Sequence, residues 1–414
     1  MQKYGLVGKK LTHSFSKEIH SKLADYNYEL IELSESEVKT FFTQKTFNAV
    51  NVTIPYKQTV IPYLDFISEK AEKIGAVNTV INKDGKLCGY NTDYYGMKAL
   101  IEKTGIDLKD KKVLILGTGG TSKTANVLAE DLGAKEILTV SRKKDNDYIT
   151  YEEALNYHND AQIIINTTPV GMYPDCETTP INIEKFFDLE GVVDAVYNPI
   201  CTNLILEAKN RGIKAQGGLY MLVMQAVVAV EKFLNTEIPK SKTDLIFSEI
   251  LNNKENIVLT GMPSSGKTTV GKLLHLDGFT FFDSDKEIEK ECGCSIKELI
   301  SEKGEKYFRD LETKVLKELS LKNGCIIATG GGAVLREENI KALKRNGKIF
   351  FLDADINRLK TTSDRPLSNT QNKLKQLYEN RIEIYKLTAD FIVPDTDIES
   401  EVEYILQKRK ENLV

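Results

Sequence analysis

The chain has few of the side chains that most often bind metals, and these residues do not cluster. Its 414 residues include 4 histidines, all well separated, and 6 cysteines, of which only Cys292 and Cys294 are close together. A Cys-x-Cys pair with no histidine nearby is a weak zinc signal. The sequence therefore predicts no metal-binding cluster of Cys and His, and scattered reduced thiols are typical of a cytoplasmic protein.

The chain also lacks a strong charge and a long hydrophobic run. Its formal net charge is -4, so no general affinity for nucleic acid or for an anionic membrane follows. The longest apolar stretch, residues 220–230, is too short to span a bilayer and contains Gln225. Lys3, Lys9 and Lys10 argue against a secretory signal. We predict a cytoplasmic protein that acts on small molecules; its oligomeric state, including a homodimer, stays open.

Apolar runs alternate with helical patterns along most of the chain. A hydrophobic content of 41% is typical of globular proteins, and the length favours two or three domains. Such alternation favours α/β layers with mainly parallel sheets. The predicted buried strands are residues 113–116, 136–140, 161–166, 192–196, 257–260, 279–282, 325–328, 349–352 and 391–393. The last five predict a five-stranded parallel sheet flanked by helices.

The first of two glycine-rich loops follows the strand at residues 113–116. It reads Gly117-Thr118-Gly119-Gly120-Thr121-Ser122, with Ser122 at the third position of a dinucleotide fingerprint. Glycines here let the backbone approach a pyrophosphate at the N-terminus of the next helix. By itself the loop is a weak motif, and an ordinary turn between a strand and a helix is the alternative.

The strand after this loop ends in Ser141-Arg142-Lys143 rather than in an acidic residue. An acidic side chain at this position binds the ribose of NAD, whereas arginine suits the 2′-phosphate of NADP. The tripeptide therefore favours NADP. A solvated basic turn is the alternative.

Several motifs in the first half resemble shikimate dehydrogenase when they are taken together and in order. The most specific is Asn-Val-Thr-Ile-Pro-Tyr-Lys at residues 51–57. The others are residues 5–8, 13–20, 75–79, 91–93, 166–172, 194–199 and 218–225. The resemblance runs from Tyr4 to Lys232 and implies an oxidoreductase with a substrate domain and a Rossmann domain.

The resemblance implies that Lys57 and Asp93 form the catalytic pair. An ammonium beside a carboxylate can stabilise the charge that develops on a carbonyl oxygen during hydride transfer, and can supply its proton. It also implies that Ser14 and Ser16 bind the substrate carboxylate. The other implied substrate-binding residues are Thr53, Asn78, Asp93, Tyr197 and Gln225. The NADP-binding set is Gly117, Gly119, Gly120, Ser141, Arg142, Lys143, Thr167 and Gly218.

The second glycine-rich loop is a full Walker A motif between a predicted strand and a predicted helix. It reads Gly261-Met262-Pro263-Ser264-Ser265-Gly266-Lys267-Thr268. In such loops the backbone N–H groups bind phosphates, the lysine contacts the transferring end, and the hydroxyl reaches Mg²⁺. The motif predicts nucleoside triphosphate binding but does not identify the acceptor.

Three further groups bear on the acceptor. Asp283 and Asp285 follow a strand, where open α/β sheets bind ligands. Arg309 offers a guanidinium that suits a carboxylate. Three consecutive glycines, residues 330–332, favour a close approach between backbone and ligand.

With Asp364-Arg365-Pro366-Leu367, which resembles a mobile lid, residues 257–397 resemble shikimate kinase. The resemblance implies that Thr268 and Asp283 hold Mg²⁺ and that Asp285 accepts the proton of the attacking hydroxyl. The implied acceptor-binding residues are Asp285, Arg309, Gly331, Gly332 and Arg381. The implied ATP-binding residues are Gly261, Ser264, Ser265, Gly266, Lys267, Thr268, Thr269, Arg358 and Arg365, with Lys267 and Arg365 also catalytic.

The two halves predict a fusion of two enzymes. We expect a substrate domain at 1–98 completed by a helix at 219–234, a Rossmann NADP domain at 99–218, a linker at 235–254 and a P-loop kinase at 255–414. The linker contains a short apolar group and is either loose or a packed helix. The expected reactions are reduction of 3-dehydroshikimate with NADPH and phosphorylation of shikimate from MgATP. The alternative is an NAD-using quinate/shikimate dehydrogenase fused to a kinase for another small polyol.

Overall fold

The computed structural model describes residues 3–11, 14–276, 278–359 and 370–411. It divides into two compact units, residues 1–250 and 251–414. The first unit holds two six-stranded sheets and the second holds one five-stranded sheet. The predicted α/β class is confirmed.

The first sheet is mixed, and its topology gathers polar residues at one edge. Its strand order is β2-β1-β3-β5-β6-β4, with β1 parallel to β2 and β3, and β5 antiparallel to β3 and β6. The ends of β1, β3 and β6 therefore meet the start of β5. The strands are β1 Tyr4–Gly8, β2 Tyr28–Glu32, β3 Ala49–Val52, β4 Phe66–Ile67, β5 Thr79–Lys83 and β6 Lys86–Tyr90; the helices are α1 Ser16–Leu23, α2 Glu35–Gln44, α3 Glu69–Ile74 and α4 Asp93–Thr104.

The second sheet is parallel throughout, in the order β12-β11-β10-β7-β8-β9. The chain changes direction between β7 and β10, and in open parallel sheets ligands bind at the carboxyl ends of the strands at such a switch point. The strands are β7 Lys112–Leu116, β8 Glu136–Ser141, β9 Ile149–Thr150, β10 Ile163–Asn166, β11 Gly191–Asp194 and β12 Lys214–Gln216; the helices are α5 Gly120–Asp131, α6 Tyr151–Tyr157 and α7 Asn203–Asn210.

Two helices follow the second sheet. The first, α8 (Leu219–Leu234), packs closely against α4, because a Cβ atom at Gly96 would lie only 2.5 Å from the carbonyl oxygen of Met221. The second, α9 (Lys240–Lys254), buries Ile246 and Phe247, and the Phe247 ring meets the Tyr220 ring edge-on at 5.0 Å. Apolar burial thus holds much of the predicted linker as a helix.

The second unit has the predicted five-stranded parallel sheet, in the order β14-β15-β13-β16-β17. Its strands are almost continuously apolar, as expected when both faces are covered by helices. The strands are β13 Asn256–Thr260, β14 Thr280–Asp283, β15 Cys325–Ala328, β16 Gly347–Asp353 and β17 Phe391–Pro394; the helices are α10 Lys267–Leu276, α11 Ser284–Cys292, α12 Ile296–Ser320, α13 Glu337–Asn346, α14 Gln371–Thr388 and α15 Ile398–Glu411.

Helix α12 is interrupted at Gly304, whose φ of 85° lies outside the helical region. The kink separates the start of the helix from the segment that carries Arg309. Within the described residues, no helix combines the length and apolarity needed to cross a membrane.

Candidate active sites

Lys57 and Asp93 form an ion pair at the polar edge of the first sheet. Lys57 lies in the loop after β3, and Asp93 is the first residue of α4. The Lys57 Nζ atom is 2.6 Å from Asp93 Oδ2, and the two side chains are only 14% and 10% exposed. The N-terminus of α4 favours a negative charge at this position. The arrangement places a shielded proton donor beside a carboxylate.

A buried hydrogen-bond network lies at the same edge and contains Asn78 and Gln225. Asn78 Nδ2 donates to Thr92 Oγ1 over 3.0 Å, and the Thr92 backbone N–H donates to Asn78 Oδ1 over 2.6 Å. Thr92 Oγ1 donates in turn to Gln225 Oε1 over 3.4 Å. The network joins the start of β5, the end of β6 and α8. It therefore fixes the predicted amide groups in place.

Asn51 and Thr92 belong to this network but were missing from the predicted site. Asn51 accepts a hydrogen bond from the Tyr28 hydroxyl over 2.8 Å and donates to Thr79 Oγ1 over 3.1 Å. Asn51 and Thr92 are both buried polar residues inside motifs read from the sequence. For Asn51 the available signal was its position between Val50 and Val52 in a strand, and for Thr92 it was its place inside the Asn91-Thr92-Asp93 motif.

Ser14, Ser16 and Tyr197 form a second group of hydroxyls. The Tyr197 hydroxyl hydrogen-bonds to the Ser14 side chain, and Ser14 Oγ accepts from the Ser16 backbone N–H over 3.2 Å. Burial raises the pKa of Tyr197, although the Ser14 contact opposes the shift. Ser14 and Ser16 lie at the start of α1, whereas Tyr197 comes from the loop after β11 of the second sheet.

The ends of β1 and β3 touch near Thr53. A Cβ atom at Gly8 would lie 2.7 Å from Thr53 Cγ2, so only glycine allows this approach. The backbone N–H of Thr53 donates to the carbonyl of Val7 over 2.9 Å. Thr53, which is half-buried, is thereby held at the polar edge.

The first glycine-rich loop lies at the switch point of the second sheet. Gly117 has a φ of 107°, and a Cβ atom there would lie 2.9 Å from Thr168 Cγ2 and 3.0 Å from Thr167 Oγ1. A Cβ atom at Gly119 would meet nothing within 4 Å. The loop thus needs glycine at its first position and leaves open space beside its second.

The same loop lies against the lysine of the ion pair. Gly120 is the first residue of α5, and a Cβ atom on it would be 3.5 Å from Lys57 Cδ. The N-terminus of α5 therefore offers unpaired backbone N–H groups next to Lys57. The two predicted parts of one site, far apart in sequence, are adjacent in space.

Arg142 and Lys143 are exposed at the end of β8, after half-buried Ser141. Ser141 Oγ accepts from the Lys143 backbone N–H over 3.2 Å. Within the described part of the chain, the ion pairs leave Arg142 without an acidic partner, whereas Lys144 pairs with Glu153. Arg142 is thus placed to receive an anion.

Thr167 and Gly218 have clear structural roles. Thr167 Oγ1 donates to the carbonyl of Leu116 over 2.6 Å, which joins the ends of β7 and β10. A Cβ atom at Gly218 would lie 2.4 Å from the carbonyl oxygen of Ala195, so packing alone requires glycine there.

In the second unit, the Walker A loop has the backbone of a phosphate-binding turn. Gly261, Ser264 and Gly266 have φ values of 150°, 67° and 94°. The Lys267 ammonium donates to the carbonyl oxygens of Gly261 and Met262, each over 2.8 Å, and to Ser265 Oγ over 3.4 Å. These hydrogen bonds hold the Lys267 side chain against the backbone of the Walker A loop.

The two predicted metal ligands lie together. Thr268 Oγ1 donates to Asp283 Oδ2 over 2.8 Å, while Thr269 is exposed on the first turn of α10. Asp283 also caps α11, because its Oδ1 atom accepts from the backbone N–H of Asp285 over 3.1 Å. A hydroxyl and a carboxylate that meet beside a phosphate-binding loop suit Mg²⁺.

The predicted acceptor residues converge on the three glycines after β15. A Cβ atom at Gly330 would lie 2.7 Å from Asp285 Oδ1, and one at Gly332 would lie 2.3 Å from the Arg309 guanidinium. Arg381 donates to the carbonyl oxygen of Gly331 over 2.9 Å. Arg309, Arg381 and Asp285 thus surround the backbone of the three glycines, which carries no side chains of its own.

Glu312 and Tyr385 complete this region and were not predicted. Glu312 is fully buried and accepts from Arg309 over 2.8 Å. Burial acts to lower the pKa of Arg309, but the charges of Glu312 and Glu305 outweigh it and raise the pKa. Tyr385 donates to Gly261 over 3.0 Å and also to Gly331, and burial raises its pKa to about 12. Glu312 lies only three residues after Arg309, which was predicted to bind the acceptor.

Two residues that were predicted to contact the nucleotide, Arg358 and Arg365, are not among the residues that meet at the three glycines. The Arg358 side chain is 61% exposed and pairs with Asp395 over 2.8 Å. Arg365 lies outside the described residues, as does the rest of the segment that resembles a lid.

Comparison with known proteins identifies both units. Residues 6–80 match the model of the shikimate dehydrogenase substrate binding domain. Over 265 residues, 60% of this chain and 97% of the relative, the chain is 40% identical to the shikimate dehydrogenase (NADP(+)) of Clostridium beijerinckii. The chain belongs to the shikimate dehydrogenase family.

Two solved structures agree with this membership. Shikimate dehydrogenase 1 from Peptoclostridium difficile is 37% identical with a TM-score of 0.57, and the match covers 60% of this chain and 98% of that chain. A Thermus thermophilus shikimate 5-dehydrogenase, solved with NADP(H) and shikimate, is 27% identical with a TM-score of 0.55, covering 60% and 99%.

Residues 263–410 match the shikimate kinase family model. The second unit therefore contains a shikimate kinase domain, and the predicted fusion is confirmed. The chain is a bifunctional enzyme of the shikimate pathway.

Proposed function

We propose that the first unit reduces 3-dehydroshikimate to shikimate with NADPH, and that the second unit phosphorylates shikimate to shikimate 3-phosphate with MgATP. The observation that carries the first activity is the Lys57–Asp93 pair beside the glycine loop at Gly120. We further propose the boundaries expected from the sequence: 1–98 with 219–234 for substrate, 99–218 for NADP, 235–254 as linker, and 255–414 for the kinase.

In the reduction, Lys57 donates a proton to the carbonyl oxygen of the substrate. Asp93 holds the ammonium in position through the 2.6 Å contact and balances its charge. NADPH supplies the hydride when bound. Ser14 and Ser16 bind the substrate carboxylate, and Thr53, Asn78, Tyr197 and Gln225 orient the ring through its hydroxyls.

The residues present fit NADP. Open space beside Gly119 leaves room for a pyrophosphate at the start of α5. Arg142 and Lys143 are exposed at the end of β8, the position at which NAD-binding sites have an acidic residue. An acidic residue there would repel a 2′-phosphate, whereas these two side chains attract it. The open basic end of β8 thus supports NADP over NAD.

Replacing Arg142 by alanine is expected to weaken NADPH binding by about 10- to 100-fold and to leave NADH binding nearly unchanged. A charge-assisted hydrogen bond is worth roughly 1.5–3 kcal/mol, and about 1.4 kcal/mol corresponds to tenfold in affinity. Binding of each cofactor is measured by titration calorimetry. Lys144→Ala is the matched control, since Lys144 already pairs with Glu153. Equal losses for both cofactors would show that Arg142 acts structurally.

In the phosphorylation, Asp285 accepts the proton of the attacking hydroxyl. Arg309 and Arg381 bind the shikimate carboxylate, while Gly331 and Gly332 allow the ring to lie against the backbone. Lys267 contacts the transferring phosphate, and Thr268 and Asp283 would hold Mg²⁺, which neutralises phosphate charge when bound. We also assign Ser264, Ser265 and Thr269 to the phosphates, Arg358 to the adenine, and Arg365 to the catalytic lid.

Glu312→Gln is expected to raise the KM for shikimate by about tenfold or more while the KM for ATP stays near its original value. Glu312 positions Arg309, and the loss of a charge-assisted bond costs roughly 1.5–3 kcal/mol. Both KM values are measured by a coupled kinase assay. Glu305→Gln is the control, because Glu305 is 49% exposed and its pair with Arg309 spans 3.3 Å. Parallel rises in both KM values would indicate a general loss of structure.

One incubation tests the whole proposal. The purified chain is mixed with 3-dehydroshikimate, NADPH and MgATP, and the products are identified by mass. Shikimate 3-phosphate is expected in the full mixture, shikimate when ATP is omitted, and neither when NADPH is omitted. Turnover only with NADH would overturn the proposed dehydrogenase reaction. Phosphorylation of another polyol but not of shikimate would overturn the proposed kinase reaction.

A further inference from the structure

Two cysteines meet at the corner between α11 and α12. Cys292 is the last residue of α11, Gly293 turns the chain with a φ of 71°, and Cys294 precedes Ser295, which caps α12. The Cys294 thiol donates to Cys292 Sγ over 3.4 Å. The left-handed turn at Gly293 therefore brings the two sulfur atoms into contact.

This pair is partly accessible, as are Cys88 and Cys201, and what distinguishes it is the contact between its two sulfur atoms. Both cysteines are half-buried, and Cys294 lines a shallow surface cavity together with Glu289 and Glu298. Cys176 and Cys325 are buried, and burial raises the pKa of Cys325 to about 12. Among the sulfur contacts of the described residues, this is the one that joins two cysteines.

We propose that Cys292 and Cys294 are a dithiol modification site, which a low-molecular-weight disulfide oxidises to an intramolecular disulfide that weakens acceptor binding by the kinase unit. Cys294 attacks the small disulfide from the cavity and releases one small thiol. Cys292 then attacks the mixed disulfide and releases the second. Two protein thiols are oxidised, the small disulfide is reduced to two thiols, and the two protons leave with them.

The position of the pair connects it to the acceptor residues. Helix α11 carries Asp285 in its first turn, and α12 carries Arg309 and Glu312 beyond the kink at Gly304. A disulfide requires an S–S distance of about 2 Å, so the sulfurs must move closer than 3.4 Å.

Both cysteines also pack against the core that holds Ile288 and Phe308. Because Phe308 lies beyond the kink at Gly304, this shared core connects the corner to the segment of α12 that carries Arg309. This consequence for binding rests on the proposed kinase function, whereas the thiol chemistry does not.

The test uses the full chain treated with oxidised glutathione at mildly alkaline pH, because the contact with Cys292 and partial burial raise the pKa of Cys294. Intact mass should fall by two hydrogen atoms, and peptide mapping should place the bond between Cys292 and Cys294. The KM for shikimate should rise several-fold, the KM for ATP should stay constant, and dithiothreitol should reverse the change.

The controls separate the proposal from the function on which it rests. The double variant Cys292→Ser/Cys294→Ser should keep kinase activity and become insensitive to oxidised glutathione, while Cys88→Ser should behave like the original chain. Dehydrogenase activity, measured in the same sample, should not change. If the reduced protein has no kinase activity, the proposed function of the second unit is wrong. The intact mass of the oxidised protein still shows in that case whether the disulfide forms. Stable glutathione adducts without an internal bond, or an oxidised form with an unchanged KM, would overturn the inference.

Discussion

Lys57→Ala is expected to reduce the turnover of 3-dehydroshikimate by about 10²- to 10⁴-fold, because the variant removes the proposed proton donor to the forming alkoxide. NADPH should still bind, since the glycine loop and Arg142 remain. The kcat of reduction is followed by the absorbance of NADPH, and cofactor binding is measured by calorimetry. Near-normal turnover would show that another group supplies the proton.

Lys45→Ala is the matched control for Lys57→Ala. Lys45 also pairs with an aspartate in the first unit, at 3.0 Å from Asp65, but this pair is more exposed and lies outside the predicted site. Its loss should change stability little and leave kcat intact. The kinase activity of the same preparation should be unaltered in both variants, and retained NADPH binding shows that the first unit of each variant is folded.

Asp285→Asn is expected to lower kinase turnover by about 10²- to 10⁴-fold and to leave ATP binding nearly intact. Asparagine keeps the size and one acceptor oxygen of the side chain, but it cannot take a proton from the shikimate hydroxyl. The Asp285 side chain lies against Gly330, and asparagine has the same size as aspartate, so no neighbouring residue has to move. The fold should therefore survive, which a thermal melt will check.

Asp283→Asn should behave differently from Asp285→Asn. Asparagine can still cap α11, so the helix should persist, but the charged partner of Thr268, which is the proposed ligand of Mg²⁺, is lost. Kinase rates are measured against Mg²⁺ concentration for both variants, with exposed Asp310→Asn as the control. Extra Mg²⁺ should restore activity to Asp283→Asn alone. Rescue of Asp285→Asn instead would reverse the two assignments.

Much of the second unit was predictable because its signals are local. The Walker A loop and the five strands are contiguous segments, and the three central strands, β13, β15 and β16, are almost entirely buried. The same holds for the loop at Gly117, whose φ of 107° is a property of one residue and its neighbours. These features need no knowledge of distant chain segments.

The mixed sheet of the first unit, β2-β1-β3-β5-β6-β4, was not predicted as such. Its strands are short, and β2 has only one buried residue in five, so no periodic pattern marks it. Its mixed topology depends on which strands pair, and pairing is a non-local property. Glu312 and Tyr385 were missed for a related reason, since their importance comes from contacts with Arg309 and with Gly261 and Gly331.

The sequence by itself determined the local chemistry: two glycine-rich loops, the basic end of β8, and motifs that carry a lysine, carboxylates and arginines in a recognisable order. Only the tertiary structure decided which of these groups meet. Lys57 lies 2.6 Å from Asp93 and next to Gly120, and Arg309, Asp285 and Arg381 converge on the three glycines. The physical reason is that backbone conformation follows from neighbouring residues, whereas the order of strands in a sheet sets the distances between remote side chains.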